Sequence, residues 1–199
     1  MTLSSRLISC LTAIALIGQV SSSDAEGDAA KPALLPMPQT VEWSSKTVTL
    51  DKVKLVIVPL KKAPERALRI NSEINGLLAK NKVTVTDEAR KSITLKLGEV
   101  TTPQHWQGQG DEAYSLIVDQ RGVAITANTA SGLYYGVQTL RQLMVHKGGK
   151  TTVPVCKIHD YPAFMIRGLM HDVGRNFQSI EQLKMQIDVM AMYKMNVFH

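Results

Sequence analysis

The stretch YPAFMIRGLMHDVGRNF, which runs from Tyr161 to Phe177, decides the fold. Its apolar run predicts a strand over Phe164–Val173. Ser179 then opens a helix, and Gln182 three residues later completes a capping box. A second strand begins at Val197. A strand, a helix and a strand at this spacing are typical of one βα unit of a parallel sheet.

The helix of this unit is predicted to extend to about Lys194 and to end at Asn196. Helical spacing places its apolar residues on one face. These residues are Ile180, Leu183, Ile187, Met190 and Ala191.

The residues from Leu34 to about Val155 follow a different pattern, because short strands alternate with two helices. The predicted strands are Val41–Trp43, Thr47–Leu50, Lys54–Val58, Val83–Thr86, Ser92–Leu97, and the hairpin Tyr114–Val118 with Val123–Ala127. One helix begins at Pro64 and reaches about Ala79. The other is capped by Asn128 or Thr129 and closed by Gly148-Gly149. The fold class is therefore α/β. An α+β domain with a mostly antiparallel sheet and two helices precedes the start of an α/β domain.

The first 25 residues are predicted to be a signal peptide. Arg6 provides the positive end, Leu7–Val20 the apolar region and Ser21–Ala25 the cleavage region. Lipidation at Cys10 is the alternative for this segment. The full division is a signal peptide at 1–25, a flexible lead-in at 26–33, an α+β domain at 34–155 and the start of a second domain at 156–199.

Export would leave one cysteine, Cys156, so no internal disulfide is expected. The net charge of +6 is scattered, and the longest basic runs, Lys61-Lys62 and Arg90-Lys91, contain no aromatic residues. This pattern favours a solvated surface over a nucleic-acid site. The histidines show no zinc-ligand spacing, so no metal is expected.

Four blocks of the sequence resemble glycoside hydrolase family 20, the β-N-acetylhexosaminidases. Tyr161–Phe177 is similar to the opening of the family's catalytic barrel, and Met192–His199 is similar to its next block. Ala127–Leu143 resembles the last helix of the family's N-terminal domain, and Leu35–Gln39 resembles the entry to that domain. The resemblance covers roughly Leu34 to His199. It implies that residues 156–199 are the first βα unit of a TIM (β/α)8 barrel, which is truncated in this chain.

The resemblance also implies the chemistry. Most glycosidases use two protein carboxylates, whereas in family 20 the substrate's own acetamido oxygen attacks the anomeric carbon. A Glu protonates the leaving oxygen, an adjacent Asp orients the acetamido group, and no cofactor is needed. This Asp-Glu pair is expected downstream of His199, so this chain is expected to hold no catalytic residue. The pairs Asp87-Glu88 and Asp111-Glu112 are interpreted as exposed loop residues.

Arg167 matches the family arginine that holds the hydroxyls of the terminal sugar, a task that suits its fork of donors. The alternative is a structural arginine paired with a barrel carboxylate. Asp172 and Arg175 lie at the end of the first barrel strand and are predicted to pair with each other as support for the barrel mouth. Strand parity places Arg167 and Asp172 on opposite faces unless a bulge intervenes. His199 is a further candidate at the end of the second strand.

Other residues are interpreted mainly as structural. The aromatic side chains of Trp43, Tyr134 and Tyr135 are expected in the core or an interface rather than under a sugar, and His105-Trp106 is the better exposed pair. His171 and Asn176 depart from the family pattern, which leaves substrate preference open.

The predicted function is that of an exported bacterial exo-β-N-acetylhexosaminidase, periplasmic or extracellular, which acts on oligosaccharides or glycans ending in an amino sugar. The chain alone is predicted to be inactive. The prediction includes no nucleic-acid partner and no membrane association after signal cleavage, and it leaves the oligomeric state open. The alternatives are a non-catalytic module that binds carbohydrate or a protein partner, and a basic surface-adhesion protein.

Overall fold

The computed structural model describes residues 31–58, 64–103 and 105–199. The predicted signal peptide, most of the lead-in and Lys61-Lys62 lie outside these residues. The described residues form an eight-stranded sheet, a two-stranded sheet and three α-helices. The strands of the large sheet are β1 Thr40–Thr49, β2 Lys52–Ile57, β3 Thr84–Val85, β4 Ser92–Leu97, β5 Tyr114–Asp119, β6 Gly122–Ala127, β7 Val145–Lys147 and β8 Lys150–Asp160.

The large sheet has the order β1-β8-β5-β6-β4-β2-β3, and β7 pairs with β8. The pairs β1–β8, β5–β8, β5–β6 and β7–β8 are antiparallel, and β6–β4, β4–β2 and β2–β3 are parallel. The prediction of a mostly antiparallel sheet is confirmed, with a parallel part at one side. Strand β8 ends at Asp160, which lies beside Tyr114 of β5, and this corner of the sheet carries the site described below.

Two helices, α1 Pro64–Lys80 and α2 Ala130–Leu143, complete this unit. Thr129 caps α2, because its side chain accepts a hydrogen bond from the backbone N–H of Ser131. One apolar cluster joins the helices to the sheet, and its fully buried members include Ile74, Leu78, Ile93, Leu95, Leu116, Ile125, Leu133 and Leu140.

The strand β8 was not predicted, although it lies between β1 and β5 in the sheet. Its Pro154 argues against a central strand, since proline donates no ladder hydrogen bond. The structure accommodates Pro154 opposite Thr47, where the register of β1 shifts. The prediction that Gly148-Gly149 closes the second helix is wrong. α2 ends at Leu143, and both glycines, with positive φ, form the turn between β7 and β8.

The predicted strand Phe164–Val173 is shortened to β9, Gly168–Leu169, which pairs in parallel with β10, Val197–Phe198. The helix α3, Ile180–Met192, carries the predicted capping box of Ser179 and Gln182 and ends before Lys194. Of its predicted apolar face, Ile180 and Ile187 are exposed, Leu183 and Ala191 are half-buried, and Met190 is buried. The exposed apolar residues of the segment include Phe164, Ile166, Met170, Phe177, Ile180, Met185 and Ile187.

The turn before β6 gives a testable consequence. Gly122 has a φ of 127°, and a Cβ there would lie 2.0 Å from the carbonyl oxygen of Ser92. We expect Gly122→Ala to lower the free energy of unfolding by roughly 3 kcal/mol, since it combines a strained φ with a backbone clash. Gly149→Ala is the matched control, because Gly149 has a φ of 74° but open space around it. Urea unfolding of residues 26–199 measures both, and equal losses would contradict the clash.

Candidate functional site

Arg167 lies directly before β9, and other residues of the segment 164–199 hold it in place. Its Nε donates to the carbonyl oxygen of Lys194 at 2.9 Å, and its Nη1 donates to that of Phe164 at 2.9 Å. Its backbone N–H donates to the Oδ1 of Asn196, also at 2.9 Å. Only 18% of the Arg167 side chain is exposed. These bonds tie the start of β9 to the residues between α3 and β10.

Arg167 also reaches the N-terminal unit. Its Nη2 lies 2.5 Å from the Oε2 of Glu112 and 3.5 Å from the hydroxyl of Tyr135, and its guanidinium carbon lies 5.8 Å from the centre of the Tyr135 ring. Glu112 ends the short 3₁₀ helix Gln109–Glu112, and Tyr135 lies on α2. Burial, and then the carboxylate of Glu112, raises the pKa of Tyr135, so the phenol stays protonated.

The interpretation of Asp111-Glu112 as an exposed pair is therefore wrong for Glu112, whose side chain is 18% exposed. Asp111 is exposed, as expected, and so are Asp87 and Glu88. The alternative interpretation paired Arg167 with a carboxylate of the barrel segment, and the described residues do not show that pairing. Its partner, Glu112, comes from the α+β unit, because the fold brings residues 55 positions apart together.

Lys194 makes a second link between the same two parts of the chain. Its Nζ lies 2.8 Å from the Oδ2 of Asp160 and 2.8 Å from the hydroxyl of Tyr114, and the lysine and aspartate side chains are 6% and 10% exposed. The Tyr114 hydroxyl donates to Asp160 at 2.8 Å and lies 2.6 Å from the Oγ1 of Thr139. Lys194 has a φ of 58°, a left-handed conformation that is uncommon for lysine.

The charges of this buried cluster are compensated. Burial is the main cause that lowers the pKa of Lys194, and the Asp160 carboxylate opposes this effect. Burial, followed by Asp160, raises the pKa of Tyr114 well above 10.0, so its hydroxyl remains a donor. No pattern in the sequence predicted this role for Lys194. The available signal was a lysine between the apolar residues Tyr193 and Met195, directly after an amphipathic helix.

The predicted barrel-mouth residues form a separate group. Arg175 donates from Nε to the Oδ2 of Asp172 at 2.6 Å, and the backbone N–H of Gly174 donates to its Oδ1 at 2.9 Å. The hydrogen bond from Arg175 is the main cause that lowers the pKa of Asp172 below 3.8. The backbone N–H of His199 donates to the carbonyl oxygen of Leu169 at 2.9 Å, next to the pair of β9 and β10. No hydrogen bond among the described residues joins this group to Arg167. Strand β9 stops at Leu169, so strand parity does not relate Asp172 to Arg167.

A cavity of about 200 Å³ lies between the two links. Its lining includes Glu112, Tyr135, Phe164, Arg167 and Lys194. A second cavity, of about 440 Å³, lies between α1, α2 and α3. Its lining includes Arg66, Arg69, Tyr134, Tyr135 and Met195.

The other aromatic candidates lie elsewhere. Trp43 packs against the core, and the rings of Tyr134 and Tyr135 meet edge to face at 6.1 Å. His105 is exposed and Trp106 is half-buried. Across the described residues, no three His, Cys, Asp or Glu side chains are grouped to hold a metal ion. Within the same residues, no helix has the length and apolar character of a membrane span.

Family models match both parts of the chain. Glycosyl hydrolase family 20, domain 2, matches residues 31–161, and the catalytic domain of the same family matches residues 164–199. The first match alone covers more than half of the chain. The chain belongs to glycoside hydrolase family 20, the family of the β-N-acetylhexosaminidases.

Curated relatives agree with this assignment. A β-hexosaminidase of Vibrio furnissii is 30% identical over 172 residues, which are 86% of this chain and 26% of the relative. A β-hexosaminidase of Porphyromonas gingivalis is 47% identical over 96 residues, which are 45% of this chain and 12% of the relative. The chain thus spans about a quarter or less of the length of these two relatives.

Solved structures show the same fold. The family 20 β-N-acetylhexosaminidase of Streptomyces coelicolor matches with a TM-score of 0.68 at 31% identity, over 85% of this chain and 35% of that one. The exo-β-N-acetylglucosaminidase of Vibrio harveyi in complex with N-acetylglucosamine matches with a TM-score of 0.66 at 28% identity, over 83% of this chain and 25% of that one.

Proposed function

We propose that this chain is the N-terminal part of an exported exo-β-N-acetylhexosaminidase. Its substrates are oligosaccharides or glycans that end in N-acetylglucosamine or N-acetylgalactosamine. The observation that carries the proposal is the family 20 catalytic-domain match over residues 164–199. In the same residues, β9 and β10 pair in parallel on either side of α3, as the opening unit of a barrel requires.

The proposed reaction is assisted by the substrate. The acetamido oxygen attacks the anomeric carbon and forms a cyclic oxazolinium, while a Glu transfers its proton to the oxygen of the departing sugar. An adjacent Asp orients the acetamido group. Water then adds to the anomeric carbon, gives up a proton to the same Glu, and leaves the product with retained configuration. We place this Asp-Glu pair in polypeptide that follows His199, and the reaction needs no metal.

Arg167 is the proposed contact with the hydroxyls of the terminal sugar. Its guanidinium lines a cavity of about 200 Å³. Hydrogen bonds to Lys194, Phe164 and Glu112 hold it there. Asp172, Arg175 and His199 are proposed to support the barrel mouth. Export by a signal peptide at 1–25, a lead-in at 26–33 and a domain boundary between 155 and 156 complete the proposal.

Two proteins test this function. One is residues 26–199, and the other is the same chain extended by its natural continuation. We expect the extended protein to hydrolyse an aryl N-acetyl-β-glucosaminide and residues 26–199 to show no turnover above background, because a barrel needs eight strands. NMR of the first product should show the β-anomer.

The matched control substrate is the aryl β-glucoside, which lacks the acetamido group and should not be hydrolysed. Turnover by residues 26–199 would contradict the prediction that this part is inactive. Lack of turnover by the extended protein, or equal turnover of the glucoside, would contradict the proposed reaction.

A further inference from the structure

We infer that Glu112 is the positioning residue for Arg167, so that the N-terminal unit takes part in substrate binding without touching the substrate. This inference rests on the proposed function, because it assigns Arg167 to the terminal sugar. It begins from one contact, the 2.5 Å approach of the Arg167 Nη2 to the Oε2 of Glu112. Both side chains are 18% exposed, so water screens this pair less than a surface ion pair.

Some N–H donors of Arg167 bond to the protein, and others can bond to the sugar. A guanidinium has five N–H donors. Nε donates to Lys194 and Nη1 donates once to Phe164, and Nη2 contacts Glu112 and, at 3.5 Å, Tyr135. One N–H of Nη1 has no hydrogen bond among the described residues, and a distance of 3.5 Å is too long for a strong bond. Nη1 and Nη2 can therefore each offer one N–H to neighbouring oxygens while the other contacts keep the plane fixed.

Of the groups that contact the Arg167 guanidinium, Glu112 contributes most to its orientation. The carbonyl oxygens of Phe164 and Lys194 are neutral and belong to the same segment as Arg167. Glu112 is charged, so its contact with the guanidinium adds an attraction between opposite charges that the neutral carbonyl oxygens lack. It also belongs to a different part of the fold, so it fixes Arg167 relative to the N-terminal unit.

The backbone around Glu112 is itself held in place. The Nε2 of Gln109, in the same 3₁₀ helix, donates to the carbonyl oxygen of Pro162 at 3.0 Å. The hydroxyl of Thr129, the cap of α2, donates to the carbonyl oxygen of Asp111. Two hydrogen bonds thus hold the loop that carries the Glu112 carboxylate, and one of them joins this loop to the residues before β9.

The chemistry of the substrate provides a selective readout. In a terminal 2-acetamido sugar, C2 carries the acetamido group, so the 3-OH and 4-OH are the vicinal pair of ring hydroxyls. A guanidinium held in position by Glu112 binds most strongly to a substrate that has both the 3-OH and the 4-OH. For a substrate without the 4-OH, the orientation of Arg167 should have little effect on kcat/KM.

The experiment compares three variants of the extended protein with the wild type on an aryl N-acetyl-β-glucosaminide and on its 4-deoxy analogue. Glu112→Gln keeps the shape and removes the charge, and Glu112→Asp keeps the charge. Asp111→Asn is the control, since it makes the same change at the exposed neighbour. We expect Glu112→Gln to lower kcat/KM on the parent substrate about 10- to 100-fold, as misplacement of a binding group does. We expect a change below threefold on the 4-deoxy analogue, partial recovery in Glu112→Asp and no change in Asp111→Asn.

Equal losses on both substrates would show a general structural role for Glu112 and would overturn the inference, as would full activity of Glu112→Gln. A wild-type protein without turnover would instead remove the proposed function, and the inference with it. The two failures are therefore distinguished by the wild type alone.

Discussion

Lys194→Met should lower the free energy of unfolding of residues 26–199 by about 3–5 kcal/mol, the usual result of breaking a buried ion pair from one side. Methionine preserves most of the length and apolar contact of the lysine side chain. It leaves the Asp160 carboxylate, which is 10% exposed, without its cation. The same change removes the donor that Lys194 supplies to the Tyr114 hydroxyl. Urea unfolding measures the loss.

Two further variants make this prediction specific. Lys184→Met is the control, because Lys184 is an exposed lysine on α3. The double variant Asp160→Asn with Lys194→Met should recover much of the loss, since no buried charge is then left alone. If Lys194→Met and Lys184→Met unfold at the same urea concentration, the buried link between the two parts of the chain does not contribute to stability.

Local opening should accompany the loss. The backbone N–H of Asn196 donates to the carbonyl oxygen of Arg167 at 2.8 Å, and that of His199 donates to Leu169 at 2.9 Å. Both bonds lie within residues 164–199, close to Arg167 and Lys194, which link these residues to the α+β unit. We expect the hydrogen exchange of both amides to become faster in Lys194→Met than in Lys184→Met.

Arg167→Lys in the extended protein should lower kcat/KM on an aryl N-acetyl-β-glucosaminide by about 100-fold or more. Lysine keeps the charge but replaces a planar fork by a single ammonium group. It cannot reproduce the separate contacts of Nε, Nη1 and Nη2 and also offer two donors to neighbouring hydroxyls. A misplacement of about 1 Å in a binding group is enough for an effect of this size.

Arg121→Lys is the control for this change, since Arg121 is an exposed arginine in the turn between β5 and β6, paired with Asp119. Steady-state kinetics of both variants measure the effect. A loss of less than threefold in Arg167→Lys would place Arg167 outside the substrate site and leave it only its structural contacts.

Local signals in the sequence predicted much of the fold. The alternation of Ser92–Leu97 gave β4, the turn Asp119–Gly122 gave the hairpin, and Ser179 with Gln182 gave the start of α3. Each of these features depends on residues close together in the chain. The resemblance to family 20, which the family models confirm, likewise came from continuous blocks.

The missed features depend on distant residues. The strand β8 contains a proline that only the register shift of β1 accommodates. Glu112 is one of two adjacent acidic residues in a loop, and its pairing with Arg167 requires the packing of a segment 55 positions away. Lys194 lies 34 positions from Asp160 and 80 from Tyr114. No periodicity or spacing indicates such pairs, because they form only when the two parts of the chain meet.

The most direct test of the whole account is a crystal structure of the extended protein with N-acetylglucosamine bound. We expect the guanidinium of Arg167 to lie within hydrogen-bond distance of the 3-OH and 4-OH of the sugar while its Nη2 stays on Glu112. We also expect Lys194 to remain paired with Asp160. A sugar bound away from Arg167, or an Arg167 that has left Glu112 when the sugar is bound, would contradict this account.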